Sequence, residues 1–179
     1  MRLARLRSVS IACAVAALAV AGCGSEDENE PKREGLGVEV AGLKYRVFMT
    51  RQLNQHDAED RAYYRGPEPR PGFTHYGVFL KVCNESEDFR LPVSEFRVVD
   101  SQGNEFEPLE SPDDNPFAYR PRRLSPEACV PEGGSVAATG PTGGALLVFD
   151  FPVQTIENRP LELEIGAGGD EGKRIELDL

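Results

Sequence analysis

The side chains best suited to covalent or metal chemistry are few in this chain of 179 residues: four cysteines and two histidines. Cysteines can act as nucleophiles, pair in disulfides or bind metal ions, and His56 and His75 could act as bases or ligands. The common catalytic spacings G-x-S-x-G, H-E-x-x-H and C-x-x-C are all absent from the sequence. We therefore expect a protein that is not an enzyme and uses no cofactor.

Cys23 stands where an apolar run ends and an acidic segment begins, in LAVAGCGSEDENEP. The run of about fifteen uncharged residues follows three arginines, Arg2, Arg5 and Arg7, which is typical of a secretory signal peptide. It is too short for a comfortable transmembrane helix, which needs roughly 20 apolar residues. The small residues of VAGC resemble the lipobox of bacterial lipoproteins, in which the cysteine thiolate accepts a diacylglycerol and becomes the first residue of the mature protein.

This resemblance implies a lipoprotein signal peptide over residues 1–22 and lipid attachment at Cys23. Two or more acyl chains anchor a protein stably, whereas one chain is marginal. We therefore expect the mature protein at the outer face of the cytoplasmic membrane, with the membrane as a partner through Cys23. The alternative is an ordinary secreted protein whose cysteine falls near the cleavage site by chance.

The acidic balance of the chain bears on its other partners. The net charge is -10, from 30 acidic and 20 basic side chains. No nucleic-acid partner is expected, because phosphate contacts need clustered lysine and arginine. Residues 23–37 begin with the acylated cysteine and contain almost no apolar side chains, which predicts a flexible acidic linker. The remaining residues, 38–179, are enough for one domain.

Alternating apolar and polar residues predict strands from residue 38 onward. VEVAGLKYRVFMTRQL and HYGVFLKVCNES show this alternation, and SEFRVVDSQGNEFEPL predicts a hairpin around DSQG. SVAAT, ALLVFDFP, LELEI and RIELDL supply further strands, without a convincing amphipathic helix. We expect an all-β, immunoglobulin-like antiparallel sandwich of about seven to nine strands. Two connections, residues 54–72 and 110–126, are long for a compact domain.

Cys83 and Cys129 are the two cysteines of the predicted domain. Disulfides persist outside the cytoplasm, and a bridge here would close a loop of about 46 residues. A redox site would normally use closer spacing, and a metal site would need more ligands. We predict a structural disulfide that fixes the second long connection to the sheet.

Strand and turn patterns over residues 42–179 resemble a bacterial domain of unknown function with a telokin-like, immunoglobulin-type sandwich. The resemblance rests on YGVFLKVCNESEDFRLPVSEFRVVDSQGNEFEP, in which Asn84 ends one strand and Asp100 and Gly103 form a D-x-x-G turn, and on PEGG and GALLVFDFP. Such domains occur on lipoproteins and secreted proteins of Gram-positive bacteria, notably actinobacteria. The resemblance implies a fold and a habitat, with adhesion or ligand binding as the expected role. The two long connections depart from the family pattern, and no site residues carry over.

Aromatic and basic side chains are concentrated on the two long connections. Tyrosine and arginine on the loops of a rigid scaffold are the residues that most often anchor interfaces. They could meet a protein partner, an anionic envelope polymer or a phospholipid headgroup; alternatively, the arginines pair with acidic loops and the aromatics cap the sandwich. The candidates are Tyr63, Tyr64, Arg65, Tyr119, Arg120, Arg122 and Arg123.

The nearest approach to a metal site in the sequence is HDAED, which contains His56, Asp57 and Asp60. The spacing of a calcium-binding EF-hand loop is missing, and carboxylate clusters in an acidic chain are usually solvated. We therefore predict no metal site. The predicted function is binding or interaction by a membrane-anchored domain. The alternatives are an accessory subunit of an envelope transporter or wall enzyme, and a metal-binding lipoprotein.

Overall fold

The computed structural model describes residues 30–166 and 172–179. The predicted signal peptide, Cys23 and the first part of the predicted linker lie outside these described residues. The strands are β1 Lys32–Arg33, β2 Gly37–Val40, β3 Leu43–Leu53, β4 Phe73–Cys83, β5 Phe96–Val99, β6 Glu105–Phe106, β7 Cys129–Val130, β8 Ala145–Pro152, β9 Glu162–Ile165 and β10 Lys173–Glu176. The helices are α1 Ala58–Tyr63, α2 Val136–Thr139 and a short 3-10 helix, Val153–Glu157.

Two sheets enclose one core, which confirms the predicted all-β sandwich. The first sheet has the strand order β1-β10-β9-β5-β6, and the second has the order β2-β3-β4-β7, with β8 also paired to β4. The pairing of β1 with β10 is parallel. The other pairings between these strands are antiparallel.

The main core lies between the sheets and follows the predicted alternation. Tyr76, Val78, Leu80 and Val82 of β4 point into it and meet buried residues of β5, β9 and β10 from the other sheet. Fully burying a side chain of this size stabilises the fold by about 1.5–3 kcal/mol. These apolar residues recur at every second position of β4 because the inner face of its sheet packs against the other sheet.

The outer face of β4 is buried as well. Phe79 points away from the main core and joins a second cluster with Leu146 and Val148 of β8. Tyr63 and Phe117, which come from the two long connections, complete this cluster. We call it the second core; it is composed of Leu53, Tyr63, Tyr64, Phe79, Phe117, Ala137, Leu146 and Val148. The long connections therefore cover the second sheet and do not project freely from the sandwich.

The hairpin predicted around DSQG is confirmed, since β5 and β6 pair across it. Asp100 Oδ1 accepts hydrogen bonds from the backbone N–H groups of Gln102 and Asn104, both at 2.9 Å. Gly103 has a φ of 80°, which favours glycine. Burial works to raise the pKa of Asp100, but hydrogen bonds from Asn104, Asn158 and Gln102 outweigh it, so this pKa is lowered from its ordinary value.

The disulfide prediction is confirmed. Cys83 ends β4 and lies directly opposite Cys129 of β7, and the two are bonded with their Cα atoms 4.2 Å apart. The bridge joins the end of the 110–126 connection to the central strand of the second sheet.

Two predicted elements differ in the structure. SVAAT forms helix α2 instead of a strand, because the Ser135 side chain accepts a hydrogen bond from Ala138 N and caps a helical turn. The prediction that the flexible linker extends to residue 37 is wrong, because Lys32 and Arg33 form β1 and pair with β10. Glu34 then fixes this segment: its carboxylate accepts hydrogen bonds from Thr50 N at 3.0 Å and Thr50 Oγ1 at 2.7 Å.

Candidate interaction surface

The first long connection begins with a capped helix. Asp57 Oδ1 accepts hydrogen bonds from Glu59 N at 2.8 Å and Asp60 N at 3.3 Å, which starts α1. The buried carboxylate of Asp60 accepts a hydrogen bond from Asn54 N at 2.8 Å and lies 2.8 Å from Arg51 Nη2. These acidic side chains hold the connection in place.

The same contacts account for the residues of the candidate metal site. Asp57 caps the helix and Asp60 pairs with Arg51, while His56 is exposed. Across residues 30–166 and 172–179, no three His, Cys, Asp or Glu side chains are grouped so as to hold a metal ion.

Tyr63 and Tyr64, predicted as part of an exposed interaction surface, are buried, so their assignment to that surface is wrong. They are 3% and 1% exposed. The Tyr63 ring meets Phe79 and Phe117 edge to face at 5.2 Å and 5.0 Å. Burial, and then the hydrogen bond to Glu59, raise the pKa of Tyr63 to about 12. The reason for the error is physical: the outer face of β4 is apolar and needs a cover, and these tyrosines provide it.

The second long connection runs beside β8 and meets the first. Asn115 is buried, and its Nδ2 donates to Tyr63 O at 2.9 Å. Leu146 N donates to Phe117 O at 2.6 Å, and Tyr119 N donates to Leu146 O at 2.9 Å. The connection therefore adds a short extended segment at the edge of the second sheet.

Tyr119 belongs to the rim of the main core. Its hydroxyl donates to Val93 O at 2.8 Å, and Val93 N donates to Tyr45 Oη at 2.8 Å. Its ring lies edge to face against Phe96 at 5.1 Å. Burial raises the pKa of the Tyr119 phenol above its ordinary value. The half-buried Tyr119 therefore caps the sandwich, as in the alternative weighed from the sequence.

The predicted arginines of the second connection remain at the surface. Arg120 Nη2 donates to Pro112 O at 2.7 Å, and Arg122 Nη2 donates to Cys129 O at 3.2 Å. The Arg123 guanidinium lies over the ring of Phe89, 5.1 Å from its centre. The exposed Arg65 of the first connection completes the predicted set.

These arginines line different depressions. Arg120 borders a groove of about 390 Å³ with Tyr119 and Glu110. Arg122 borders another of about 450 Å³ with Lys81 and Glu132. Arg65 borders a third, of about 420 Å³, on the first connection. Arg120, Arg122 and Arg123 are close together in the second connection, whereas Arg65 lies on the first, so we take Arg120, Arg122 and Arg123 as the basic part of the candidate surface.

A buried histidine lies under the first connection. His75 is 2% exposed, its ring meets Tyr64 edge to face, and its Nε2 is 3.6 Å from Asp150 Oδ1. Burial lowers the pKa of His75, and the Asp150 carboxylate partly opposes this shift. Arg70 pairs with the same carboxylate at 3.0 Å. The cluster therefore packs a neutral imidazole against the second core.

The exposed apolar residues that the sequence reasoning missed include Phe89 and Leu91, which are 58% and 65% exposed. In an ordinary strand pattern, apolar residues on either side of an arginine point inward. Here Arg90 pairs with Leu124, which is fully buried, so the two apolar residues on either side of Arg90 point outward. Only the position of Leu124 reveals which way the segment faces.

Comparisons with known proteins support the fold. No described protein family matches this chain, and no curated protein matches it. The solved structure of the yjhA protein from Bacillus subtilis is similar, with a TM-score of 0.52 and 10% identity, over 82% of this chain and 99% of that chain. An uncharacterized β-sandwich protein from Clostridium difficile 630 has a TM-score of 0.48 and 11% identity, over 86% of this chain and 98% of that chain.

At this low identity the first likeness shows the fold alone. In the part of the chain that the structure describes, the helices are all too short or too polar to cross a bilayer.

Proposed function

We propose that this protein is a lipid-anchored lipoprotein whose β-sandwich lies at the outer face of the cytoplasmic membrane and acts by binding. The observation that carries the proposal is the position of Cys23, which follows small residues at the end of a basic and apolar leader. A membrane-proximal acylated cysteine of this kind becomes the mature N-terminus, and its acyl chains hold the protein at the bilayer.

The disulfide supports an exported location. Cys83 and Cys129 are bonded across adjacent strands, and structural disulfides persist mainly in oxidising compartments. This contact is independent of the leader pattern, because it involves residues of the folded domain only.

Substitution of Cys23 tests the anchor. In a bacterial host with a lipoprotein pathway, the wild-type protein should enter the detergent phase on phase separation. Cys23→Ala should move to the aqueous phase or remain unprocessed, because the acceptor thiol is gone. Cys13→Ala, a matched change within the leader, should behave as the wild type. A Cys23→Ala protein that is still processed and membrane-bound would refute the anchor.

The binding role is supported by the exposed arginines of the second connection. Arg120, Arg122 and Arg123 lie within four residues of one another and remain exposed in an acidic protein. Their ion pairs are long, at 3.7 Å from Arg120 to Asp113 and 3.7 Å from Arg122 to Glu132. Surface pairs of this kind contribute about 0–1 kcal/mol to stability, so the guanidinium groups are available to an anionic envelope polymer or an acidic protein.

The combined variant R120Q/R122Q/R123Q tests this surface. We expect loss of retention on isolated anionic wall polymer, or of a partner recovered from detergent extracts, with a stability loss of no more than about 1–2 kcal/mol. The control R46Q/R61Q/R174Q removes the same charge from other exposed positions. Equal retention of both variants would contradict the proposed surface, and a large loss of stability would assign the three arginines to the fold. Recovery of a permease or a wall enzyme would indicate an accessory subunit.

A further inference from the structure

An exposed apolar pair lies on the segment between β4 and β5. Phe89 and Leu91 are more than half exposed, at 58% and 65%. The backbone of Arg90 between them forms two hydrogen bonds with Leu124, N to O at 3.0 Å and O to N at 2.7 Å. Since Leu124 is buried, the two-residue alternation of an extended chain directs Phe89 and Leu91 outward.

A cation completes this surface. The Arg123 guanidinium lies 5.1 Å from the centre of the Phe89 ring. We call Phe89, Leu91 and Arg123 the end patch. An aromatic and an aliphatic side chain next to a guanidinium match the interfacial region of a bilayer, where apolar groups enter the acyl boundary and arginine meets phosphate.

The chain that leads back to Cys23 leaves the sandwich at one particular end. β1 runs parallel to β10, with Lys32 opposite Ile175. Followed backwards, β1 therefore leads towards the start of β10, which lies beside Ile165 at the end of β9. The next residue, Gly166, donates its N–H to Glu95 O at 3.0 Å. The exit of the chain is thus at the end of the sandwich where β9 finishes and β5 is about to begin.

The end patch lies at this same end. A Cβ atom on Gly166 would be 3.3 Å from Val40 Cγ1, so the residue after β9 touches the end of β2. The turn that follows β2 contains Gly42, where a Cβ atom would be 3.4 Å from Arg90 Nε. Arg90 is the residue between the two apolar members of the patch, so the patch and the chain exit share one end.

The length of chain outside the sandwich limits how far this end can lie from the bilayer. About nine residues separate Cys23 from Lys32, and such a segment spans at most about 30 Å. The 11-residue strand β3 is itself about 36 Å long. The proposed anchor therefore keeps the end from which the chain leaves within about 30 Å of the bilayer, a distance shorter than the sandwich itself.

Two acidic residues near the patch form ion pairs, whereas the exposed Glu87, two residues before Phe89, forms none with another described residue. Glu85 pairs with Lys44 at 3.2 Å, and Asp88 pairs with Arg90 at 3.5 Å. These pairs reduce the repulsion that free carboxylates would exert on an anionic lipid surface.

We propose that the end patch contacts the bilayer, with Phe89 and Leu91 in the interfacial region and Arg123 at the lipid phosphates. The inference rests on the proposed lipid anchor, and it adds that the domain is oriented on the membrane, with the opposite end facing away. Arg123 then belongs to the end patch, and the other two arginines of the candidate surface, Arg120 and Arg122, are held close to the envelope layer just outside the membrane.

Tryptophan fluorescence tests the orientation, because the natural chain contains no tryptophan. The acylated full-length protein is bound to phosphatidylcholine–phosphatidylglycerol vesicles, with Leu91→Trp as the reporter. We expect its emission to shift to the blue on binding and to be quenched by brominated lipid. Phe89→Trp serves as a second reporter if Leu91→Trp folds poorly.

Val153→Trp is the matched control. Val153 is 46% exposed, and its N–H donates to Gly72 O, next to the start of β4. Leu91 comes after the other end of that 11-residue strand, which is itself about 36 Å long. Val153→Trp should therefore keep the emission of a water-exposed indole on the same vesicles.

The outcomes separate the two proposals. If acylated protein binds vesicles but Leu91→Trp shows neither shift nor quenching, the end patch does not contact lipid, while the anchor stands. Equal shifts at positions 91 and 153 would also overturn the orientation. If Leu91→Trp responds only when an envelope protein fraction is added, the patch binds a protein and the lipid assignment is wrong. If the mature protein carries no lipid and ignores vesicles, the proposed function fails and the inference fails with it.

Discussion

Replacing Tyr64 by alanine is expected to lower the free energy of unfolding by about 3–5 kcal/mol, as for other large aromatic truncations in cores. Tyr64 is 1% exposed and belongs to the second core. Its ring meets His75 at 5.4 Å, and a Cβ atom on Gly66 would overlap it. Truncation would leave a cavity under the first long connection that the backbone cannot fill. Denaturant unfolding with and without the substitution measures the effect.

Arg65→Ala is the matched control, because the neighbouring Arg65 side chain is exposed. Surface substitutions usually change stability by within about 0.5 kcal/mol, so this variant should unfold at nearly the wild-type denaturant concentration. A Tyr64→Ala protein as stable as Arg65→Ala would show that Tyr64 does not hold the connection to the sheet. It would also return Tyr64 to the candidate binding residues.

Loss of the disulfide is expected to have a comparable effect. The variant C83S/C129S should be less stable by about 4 kcal/mol, because the bridge closes a loop of roughly 46 residues in the unfolded chain. In the folded state it also joins β4 to β7 at the end of the second long connection. Equilibrium unfolding under non-reducing conditions measures the difference.

Reduction provides the control for this prediction. A thiol reductant should destabilise the wild-type protein towards the stability of C83S/C129S and should leave the variant unchanged. Two free thiols found by mass spectrometry of the protein purified without reductant, at Cys83 and Cys129, would contradict the bridge. An unchanged stability on reduction would show that the sheet pairing of Cys83 with Cys129 suffices without it.

Much of the sandwich could be predicted from local patterns. The alternation of Tyr76, Val78, Leu80 and Val82 predicted the inner face of β4, because a strand with one buried face repeats every two residues. The D-x-x-G turn of Asp100 and Gly103 predicted the β5–β6 hairpin through local hydrogen bonds and a positive φ. In both cases the signal and the structure that it predicts lie within a few residues of each other.

The candidate surface was predicted only in part. Arg120, Arg122 and Arg123 are exposed, whereas Tyr63 and Tyr64 are buried. A sequence signal for the burial exists: β4 carries Phe79 on its outer face, and β8 carries Leu146 and Val148 on that face, so a second apolar layer had to be covered. Which loop would cover it depends on contacts between residues far apart in the chain.

The sequence by itself determined the alternating strands and the turn chemistry, since both depend on patterns within a few residues. It also determined which cysteines can pair, because residues 38–179 contain only Cys83 and Cys129. Tertiary structure alone decided that the long connections form a second core and that Phe89 and Leu91 face outward. The reason is that burial of a side chain depends on what packs against it. Tyr63 is covered by Phe79 and Phe117, residues that no local rule brings together.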